Sequence, residues 1–210
     1  MIAKLPLVYI VDDDSGVRSS IRILLKSVGI NATSFASAKE FLNSYDHSQP
    51  GCLVLDVRMP GMSGMDLQLK RSRLAAVLRA LFITGHGDVP MAVEAMQQGA
   101  FDFLQKPFRD QDLIQRIQRA LQLDESHRAA LRQTDAIRMR LGSLTPRERE
   151  VLDLLADGKQ NKVMAAELGL SQRTVEIHRA NIMHKMQAHS IAQLVRMLLD
   201  GRTTERQAIR

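Results

Sequence analysis

The sequence predicts two domains, an α/β domain with a doubly wound parallel sheet followed by an all-α domain. In residues 1–122, short β-branched apolar runs alternate with amphipathic segments, as in proteins whose helices cover both faces of a parallel sheet. After Gly142 the apolar spacing is helical only. The 210 residues suffice for two small domains, since domains commonly have roughly 100 to 200 residues each.

Five segments of the first domain have the composition and length of buried strands. They are residues 7–11, 31–35, 52–56, 80–84 and 101–105. A helix is predicted over Ser15 to Gly29, with Ser15 as its N-cap and Gly29 as its left-handed stop. Further helices cover about residues 38–45 and the segment that starts with Asp88 as N-cap and ends at Gly99.

The two domains are joined by a helical linker over residues 123–142. No Gly or Pro interrupts the chain from Asp112 to Leu141. The pattern allows one continuous helix, about 45 Å long at 1.5 Å per residue, or two helices with a break near residues 124–127. A continuous helix could hold the two domains apart.

The second domain covers residues 143–200 and contains four short helices. The first begins with a capping box in which Thr145 is the N-cap and Glu148 the N3 residue. The next helix covers Asn161 to Leu168. Gly169 then makes a turn, and Ser171 caps a third helix that ends near residue 186, as in a helix-turn-helix motif. A polar and frayed tail is expected over residues 201–210.

Composition excludes several classes of protein. Hydrophobic residues make up 45% of the chain and charged residues 25%, close to the average of globular proteins, and no apolar run approaches the ~18 residues of a membrane span. The N-terminus has no signal-peptide pattern, so we expect a cytoplasmic protein. The single cysteine, Cys52, excludes an intramolecular disulfide and lies in an apolar run, where a buried hydrophobic role is expected.

Polar side chains follow four of the predicted strands. Because the carboxyl ends of parallel strands meet at one edge of a sheet, these side chains should converge: Asp12, Asp13 and Asp14 after strand one, Asp56 at the end of strand three, Thr84 at the end of strand four and Lys106 after strand five. Carboxylates packed this closely need a cation or a proton, and hard oxygen ligands suit Mg²⁺.

With these residues in place, the first domain resembles the receiver domain of two-component response regulators. The resemblance covers residues 7 to about 121 and rests on VDDD, LDVRMPGMSG, ITGHGDVP and the Lys106-Pro107 pair. It implies a flavodoxin-like strand order of 2-1-3-4-5 and phosphorylation of Asp56. It also implies an Mg²⁺ site made by Asp12, Asp13, Asp56 and the backbone carbonyl of Arg58.

The same resemblance implies roles for the other polar residues. Thr84 would hydrogen-bond the phosphoryl group, and Lys106 would offset charge on its oxygens. Phe103 matches the switch aromatic of the family, and the bond before Pro107 is expected to be cis. Asp14 is expected to face solvent or to cap the first helix.

Two other interpretations remain. Asp12 and Asp14 also have the spacing of the D-x-D motif of haloacid-dehalogenase-type phosphatases. Those enzymes need a cap domain and further acidic metal ligands, and the first domain of this sequence shows neither. The receiver domain could instead be vestigial, in a protein that binds DNA constitutively. We therefore do not expect an enzyme.

The second domain resembles the helix-turn-helix effector of the NarL/FixJ (LuxR-type) regulators, closest to the FixJ branch. The resemblance covers about Leu144 to Leu199. Between residues 159 and 196, six Lys or Arg stand against two Glu, which suits a polyanionic partner. On the third helix, Val175, His178, Ile182 and Met186 form one stripe, and the opposite face should enter the major groove. The expected DNA-binding residues are Lys162, Arg173, Thr174, Glu176, Ile177, Arg179, Ala180 and Lys185.

Together, the two resemblances predict a response regulator that controls transcription, as an activator. The implied partners are a sensor histidine kinase, double-stranded promoter DNA, RNA polymerase and, after phosphorylation, a second copy of the chain. Dimerisation is expected through the fourth helix and fifth strand of the receiver. The last helix of the second domain resembles the dimer element that such effectors use on DNA.

Overall fold

A computed structural model describes residues 4–73, 78–85 and 89–208, which form two compact units. The division falls between Arg128 and Ala129. The first unit is an α/β domain and the second is helical, as the sequence predicted. No helix in the described part of the chain is long and apolar enough to cross a membrane.

The first unit contains a five-stranded parallel sheet with the order β2-β1-β3-β4-β5, which confirms the predicted fold class. Each strand lies within one residue of its predicted bounds. The strands are β1 (Leu7–Val11), β2 (Ala32–Phe35), β3 (Gly51–Asp56), β4 (Arg79–Thr84) and β5 (Asp102–Gln105). The helices are α1 (Ser15–Ser27), α2 (Ala38–Ser44), α3 (Gly64–Arg73), α4 (Val89–Gln97) and α5 (Asp110–Gly142).

Alternate residues of the central strands fill two hydrophobic clusters, one on each face of the sheet. In β3, Leu53 and Leu55 belong to the cluster that also contains Phe41 and Phe82. Their neighbours Cys52 and Val54 belong to the other, with residues of α1 and α5. Because both faces are covered, β3 is buried along its whole length and can hold a polar group only at its end.

The N-cap of α1 is Asp14 and not Ser15. Asp14 Oδ1 accepts hydrogen bonds from the backbone N–H of Gly16, at 2.7 Å, and of Val17, at 3.2 Å. Gly29 has a φ of +74°, the left-handed stop predicted for it. The N-cap predicted at Asp88 lies outside the described residues.

Helix α5 is one continuous helix of 33 residues, so the break considered near residues 124–127 does not occur. Asp124 is 1% exposed. Its Oδ2 accepts hydrogen bonds from Gly51 N and from Arg128 Nε, both at 2.9 Å. Arg128 also donates to the Gln49 carbonyl at 3.0 Å. The beginning of the predicted linker is therefore packed into the first unit, where it covers the amino end of β3.

Replacing Asp124 with alanine is expected to lower the free energy of unfolding of the first unit by about 3 kcal/mol, since it leaves a buried N–H and a guanidinium without their shared acceptor. Asp124→Asn keeps one acceptor oxygen and should lose less. Glu125→Ala, an exposed change in the same helix and the same unit, should stay within about 0.5 kcal/mol of wild type. Urea denaturation and amide exchange at Gly51 measure the stability of the first unit. Equal stability of the Asp124→Ala and Glu125→Ala variants would contradict the prediction.

The second unit contains the end of α5 and four helices around one hydrophobic core. Thr145 and Glu148 form the predicted capping box, and Gly169 adopts the predicted left-handed turn with a φ of +64°. The helices are α6 (Pro146–Ala156), α7 (Asn161–Leu168), α8 (Gln172–Met186) and α9 (Ile191–Ala208). Helix α9 continues through the segment expected to be a frayed tail, as far as Ala208.

Candidate functional site

The strand order brings four predicted site residues to the carboxyl edge of the sheet. Strands β1, β3 and β4 are neighbours, so Asp12, Asp56 and Thr84 follow or end adjacent strands. Lys106 follows β5, and its backbone N–H donates to the Thr84 carbonyl at 2.7 Å. All three residues of the central strands are buried: Asp12 is 1% exposed, Asp56 6% and Thr84 1%. The sequence thus located a polar site at the edge of an apolar sheet.

The ammonium of Lys106 bridges the two carboxylates. Its Nζ donates to Asp12 Oδ2 at 2.7 Å and to Asp56 Oδ1 at 2.9 Å. The other oxygens accept backbone N–H groups, of Asp14 on Asp12 and of Arg58 on Asp56, both at 2.8 Å. The peptide bond between Lys106 and Pro107 is cis, as expected. Both carboxylates are therefore fixed in orientation by hydrogen bonds from three different segments.

The charges of this site depend on one another. Burial raises the pKa of Asp56, and its hydrogen bond with Lys106 opposes that shift. Burial of Lys106 favours its neutral form, yet the hydrogen bonds to Asp12 and Asp56 outweigh it and raise the pKa of Lys106. Lys106 therefore remains a cation at neutral pH and stabilises Asp56 as a carboxylate, the form that can act as a nucleophile.

The predicted acidic ligands are only partly gathered. Asp13 follows Asp12 directly in the sequence, but its side chain is exposed, whereas those of Asp12 and Asp56 are buried. Within residues 4–73, 78–85 and 89–208, no three His, Cys, Asp or Glu side chains are close enough to hold a metal ion. The donor set still suits a hard cation, because the two paired groups are carboxylates.

Sequence reasoning missed one contact at this edge, made by Arg18 of α1. Its Nη1 donates to the backbone carbonyl of Asp12 at 2.7 Å. An arginine one turn into the helix after an acidic loop was the available signal, but a solvated surface position was equally compatible with it. The predicted switch residue Phe103 is half-buried and packs against the core cluster that contains Phe82.

The exposed and buried faces of α8 are those that the sequence predicted. Val175, Ile182 and Met186 are fully buried, and His178 is half-buried. Arg173, Glu176 and Ala180 are exposed, and Ile177, an apolar residue, is 54% exposed. Thr174 lies in the first turn, where its backbone N–H and hydroxyl contact Ser171 Oγ.

The basic side chains among the expected DNA-binding residues differ in their surroundings. Lys162 is exposed on α7. The Arg179 guanidinium hydrogen-bonds Asn161 Oδ1, a neutral partner, and forms no ion pair with any residue that the structure describes. Lys185 instead forms an ion pair with the carboxylate of Glu148 at 2.7 Å and donates to the Ser143 carbonyl at 3.3 Å. The Lys185 ammonium therefore points into the domain. Helical periodicity alone does not predict its contact with Glu148.

Both units match known families. Residues 8–118 match the response regulator receiver domain, and residues 142–198 match the bacterial regulatory proteins of the luxR family. The chain therefore belongs to the response regulators that join a receiver domain to a LuxR-type DNA-binding domain, and it is a regulator of transcription.

The similarity to individual relatives covers most of the chain. Nodulation protein W of Bradyrhizobium diazoefficiens is 47% identical over 191 residues, which are 91% of this chain and 84% of that protein. The transcriptional regulatory protein FixJ of Rhizobium meliloti is 45% identical and covers 92% of this chain and 95% of its own. The solved structure of the response regulator StyR is 45% identical, with a TM-score of 0.87 over 93% of this chain and 98% of its own.

Proposed function

We propose that a sensor histidine kinase phosphorylates Asp56 and that the phosphorylated chain dimerises, binds promoter DNA and activates transcription by RNA polymerase. The observation that carries this proposal is the pair of buried carboxylates, Asp12 and Asp56, bridged by Lys106 at the edge of the sheet. A structural ion pair would need one carboxylate for one ammonium. A second buried carboxylate at the same ammonium leaves net negative charge, as expected of a site that receives a further cationic or electrophilic group.

The transfer step uses groups that the fold already orients. A carboxylate oxygen of Asp56 attacks the phosphorus of a phosphohistidine, a P–O bond forms, and the P–N bond breaks as the electron pair returns to the imidazole. Lys106 offsets charge on the transferred oxygens. We assign to the Thr84 hydroxyl, at the end of the adjacent strand, the role of donating to one of them.

Receiver domains of this type bind Mg²⁺ for phosphorylation. In this chain we assign the ion to Asp12, Asp56 and the Arg58 carbonyl, which are hard oxygen donors, and to Asp13, whose exposed side chain would turn toward them when the ion binds. When bound, the ion neutralises charge on the phosphoryl oxygens. One oxygen of each carboxylate accepts a backbone N–H, from Asp14 on Asp12 and from Arg58 on Asp56, and these hydrogen bonds fix the orientation of both groups.

Incubation with acetyl phosphate and Mg²⁺, followed by intact mass measurement, tests the proposal. We expect one phosphoryl adduct with Mg²⁺ and none when EDTA replaces it. A chain that binds DNA but forms no adduct under either condition would be a constitutive DNA-binding protein with a vestigial receiver, and the proposal would be wrong.

Dimerisation through the α4 and β5 face is supported by apolar side chains on α4. Val93 is 49% exposed and Met96 48% exposed, and both line a shallow surface depression with Ala92 and Gln97. A second copy would cover this surface. Two linked DNA-binding domains bind two half-sites with a higher affinity than either domain alone.

The exposed face of α8 is proposed to read bases in the major groove. Ile177 and Ala180 can contact thymine methyl groups, and Glu176 can accept a hydrogen bond from cytosine N4. Lys162, Arg173, Thr174 and Arg179 are assigned to phosphates, which fix the register of the helix without reading sequence. Ile177 is 54% exposed, so its side chain is accessible for a contact with a base.

Arg173→Ala is expected to weaken binding to all duplexes to a similar extent, whereas Glu176→Ala should change which sequence is preferred. A base contact contributes about 1 to 3 kcal/mol of discrimination, and a phosphate contact contributes none. Titrations against a series of single-base substitutions in a selected duplex measure both effects. An unchanged preference in the Glu176→Ala variant would remove the base-reading role of Glu176.

A further inference from the structure

The carboxyl end of α8 forms polar contacts with residues of α5 and α6, outside the helix-turn-helix motif. Lys185, in the last turn, pairs with Glu148 of α6 at 2.7 Å and donates to Ser143 in the turn after α5. Arg140 of α5 donates to the carbonyl of Met186, the last residue of α8, at 3.4 Å and to Gln187 Oε1 at 2.5 Å. We name Lys185, Glu148 and Arg140 the α8 anchor.

Glu148 is the buried centre of this anchor. Its side chain is 4% exposed, and Oε2 accepts both the Lys185 ammonium and the backbone N–H of Thr145, the latter at 2.8 Å. The hydrogen bond from Lys185 is the main cause of the lowered pKa of Glu148, followed by that from Thr145. Removing one partner of such a pair leaves a buried charge without compensation, so separation of α6 from the end of α8 is unfavourable.

Arg140 acts on the turn that follows. Gln187 ends α8 with a φ of +53°, a left-handed conformation that is unfavourable for a residue with a side chain. Arg140 binds both the helix carbonyl and the Gln187 side chain, and a cation at this end of a helix also interacts favourably with the helix dipole. The end of α5 and the start of α6 therefore both contact the carboxyl end of α8.

We propose that Lys185 is a positioning residue for DNA recognition and not a phosphate contact, and that the α8 anchor sets the angle at which α8 presents its exposed face. This inference rests on the proposed entry of α8 into the major groove. It separates Lys185 from Lys162, an exposed lysine of the same domain that forms no ion pair within residues 4–73, 78–85 and 89–208.

The two roles predict different dependences on salt. A lysine that contacts phosphate releases counterions from the DNA when it binds. Its loss therefore reduces the magnitude of the slope of log K against log salt by about 1 and weakens binding to all duplexes alike. Loss of a positioning residue should leave that slope unchanged and reduce affinity for the specific duplex alone. The expected loss is about tenfold, similar to the loss of one base contact.

Glu148→Gln gives a second test, because the two roles predict opposite changes in affinity for this variant. Removing a negative charge near DNA should strengthen binding if the anchor acts only through charge. If Glu148 positions α8 through Lys185, the variant should bind the specific duplex several-fold more weakly despite its higher net charge. Lys185→Arg keeps a cation within reach of Glu148 and should recover most of the affinity that Lys185→Met loses.

The experiment uses the full chain, treated with acetyl phosphate and Mg²⁺, and a duplex selected by the wild-type protein from a random pool, with a scrambled duplex as the non-specific control. Lys185→Met, Glu148→Gln, Lys185→Arg and Lys162→Ala are titrated at several salt concentrations, after far-UV circular dichroism has shown that each is folded. We expect a lowered slope for Lys162→Ala only. Because Lys185 is one-third exposed, Lys185→Met remains informative even if Glu148→Gln does not fold.

A slope lowered by about 1 in Lys185→Met, with equal losses on both duplexes, would overturn the positioning role. Stronger binding by Glu148→Gln would do the same. If the wild-type protein selects no duplex at all, the proposed function fails and this inference fails with it. The two failures are therefore distinguishable.

Discussion

Replacing Asp56 with asparagine is expected to abolish phosphorylation of the chain by acetyl phosphate. The amide is a poor nucleophile, whereas its shape preserves the acceptor for the Arg58 N–H, so the fold should be retained. Asp12 lies against the same ammonium but is 1% exposed against 6% for Asp56, and we expect this more buried carboxylate not to replace Asp56.

Intact mass measurement after incubation with acetyl phosphate and Mg²⁺ checks this result. Asp112→Asn, an exposed change at the start of α5, is the matched control and should be phosphorylated to the same extent as wild type. Full labelling of Asp56→Asn would show that another residue accepts the phosphoryl group.

The second large effect is expected at Thr84, where alanine should permit phosphorylation but prevent dimerisation. Phosphate on Asp56 can change a distant surface only if some element has two arrangements and the phosphoryl group favours one of them. We propose that the Thr84 hydroxyl moves toward the phosphoryl group and that the Phe103 ring moves into the vacated space. The half-buried position of Phe103 at the edge of the core is compatible with such a movement.

Sedimentation velocity with and without a phosphoryl mimic measures the effect. Wild type and Thr84→Ser, which keeps the hydroxyl, should change from monomer to dimer, and Thr84→Ala should remain monomeric. The Thr84 carbonyl still accepts the Lys106 N–H in all three proteins, so the sheet edge is expected to stay intact. Normal dimerisation of phosphorylated Thr84→Ala would exclude this route and favour release of a masked DNA-binding domain instead.

Features that depend on local sequence were predicted best. The capping box of Thr145 and Glu148, the stop at Gly29 and the turn at Gly169 each depend on a few adjacent residues, and all are confirmed. The resemblance to receiver domains predicted the strand order, and the parallel topology predicted that the polar side chains at the strand ends converge. Together these two predictions placed Asp12, Asp56 and Lys106 at one edge of the sheet.

The incorrect or undecided points depend on geometry that local patterns do not specify. Asp14 and Ser15 are both good N-cap residues, and a one-residue difference in helix start decided between them. The continuity of α5 was undecided because its support, the bond between Asp124 and Gly51, joins residues that are 73 positions apart. The pairing of Lys185 with Glu148 spans 37 positions and was missed for the same reason.

The single cysteine makes the receiver sheet suitable for a chemical measurement of its own stability. Cys52 is 0% exposed, and burial raises the pKa of its thiol, so a thiol reagent cannot attack it in the folded domain. Its rate of modification therefore reports how often β3 opens, with and without phosphate on Asp56. A cysteine introduced at an exposed position would be the sole reactive thiol of the native chain, so a fluorophore could be attached there without first replacing Cys52.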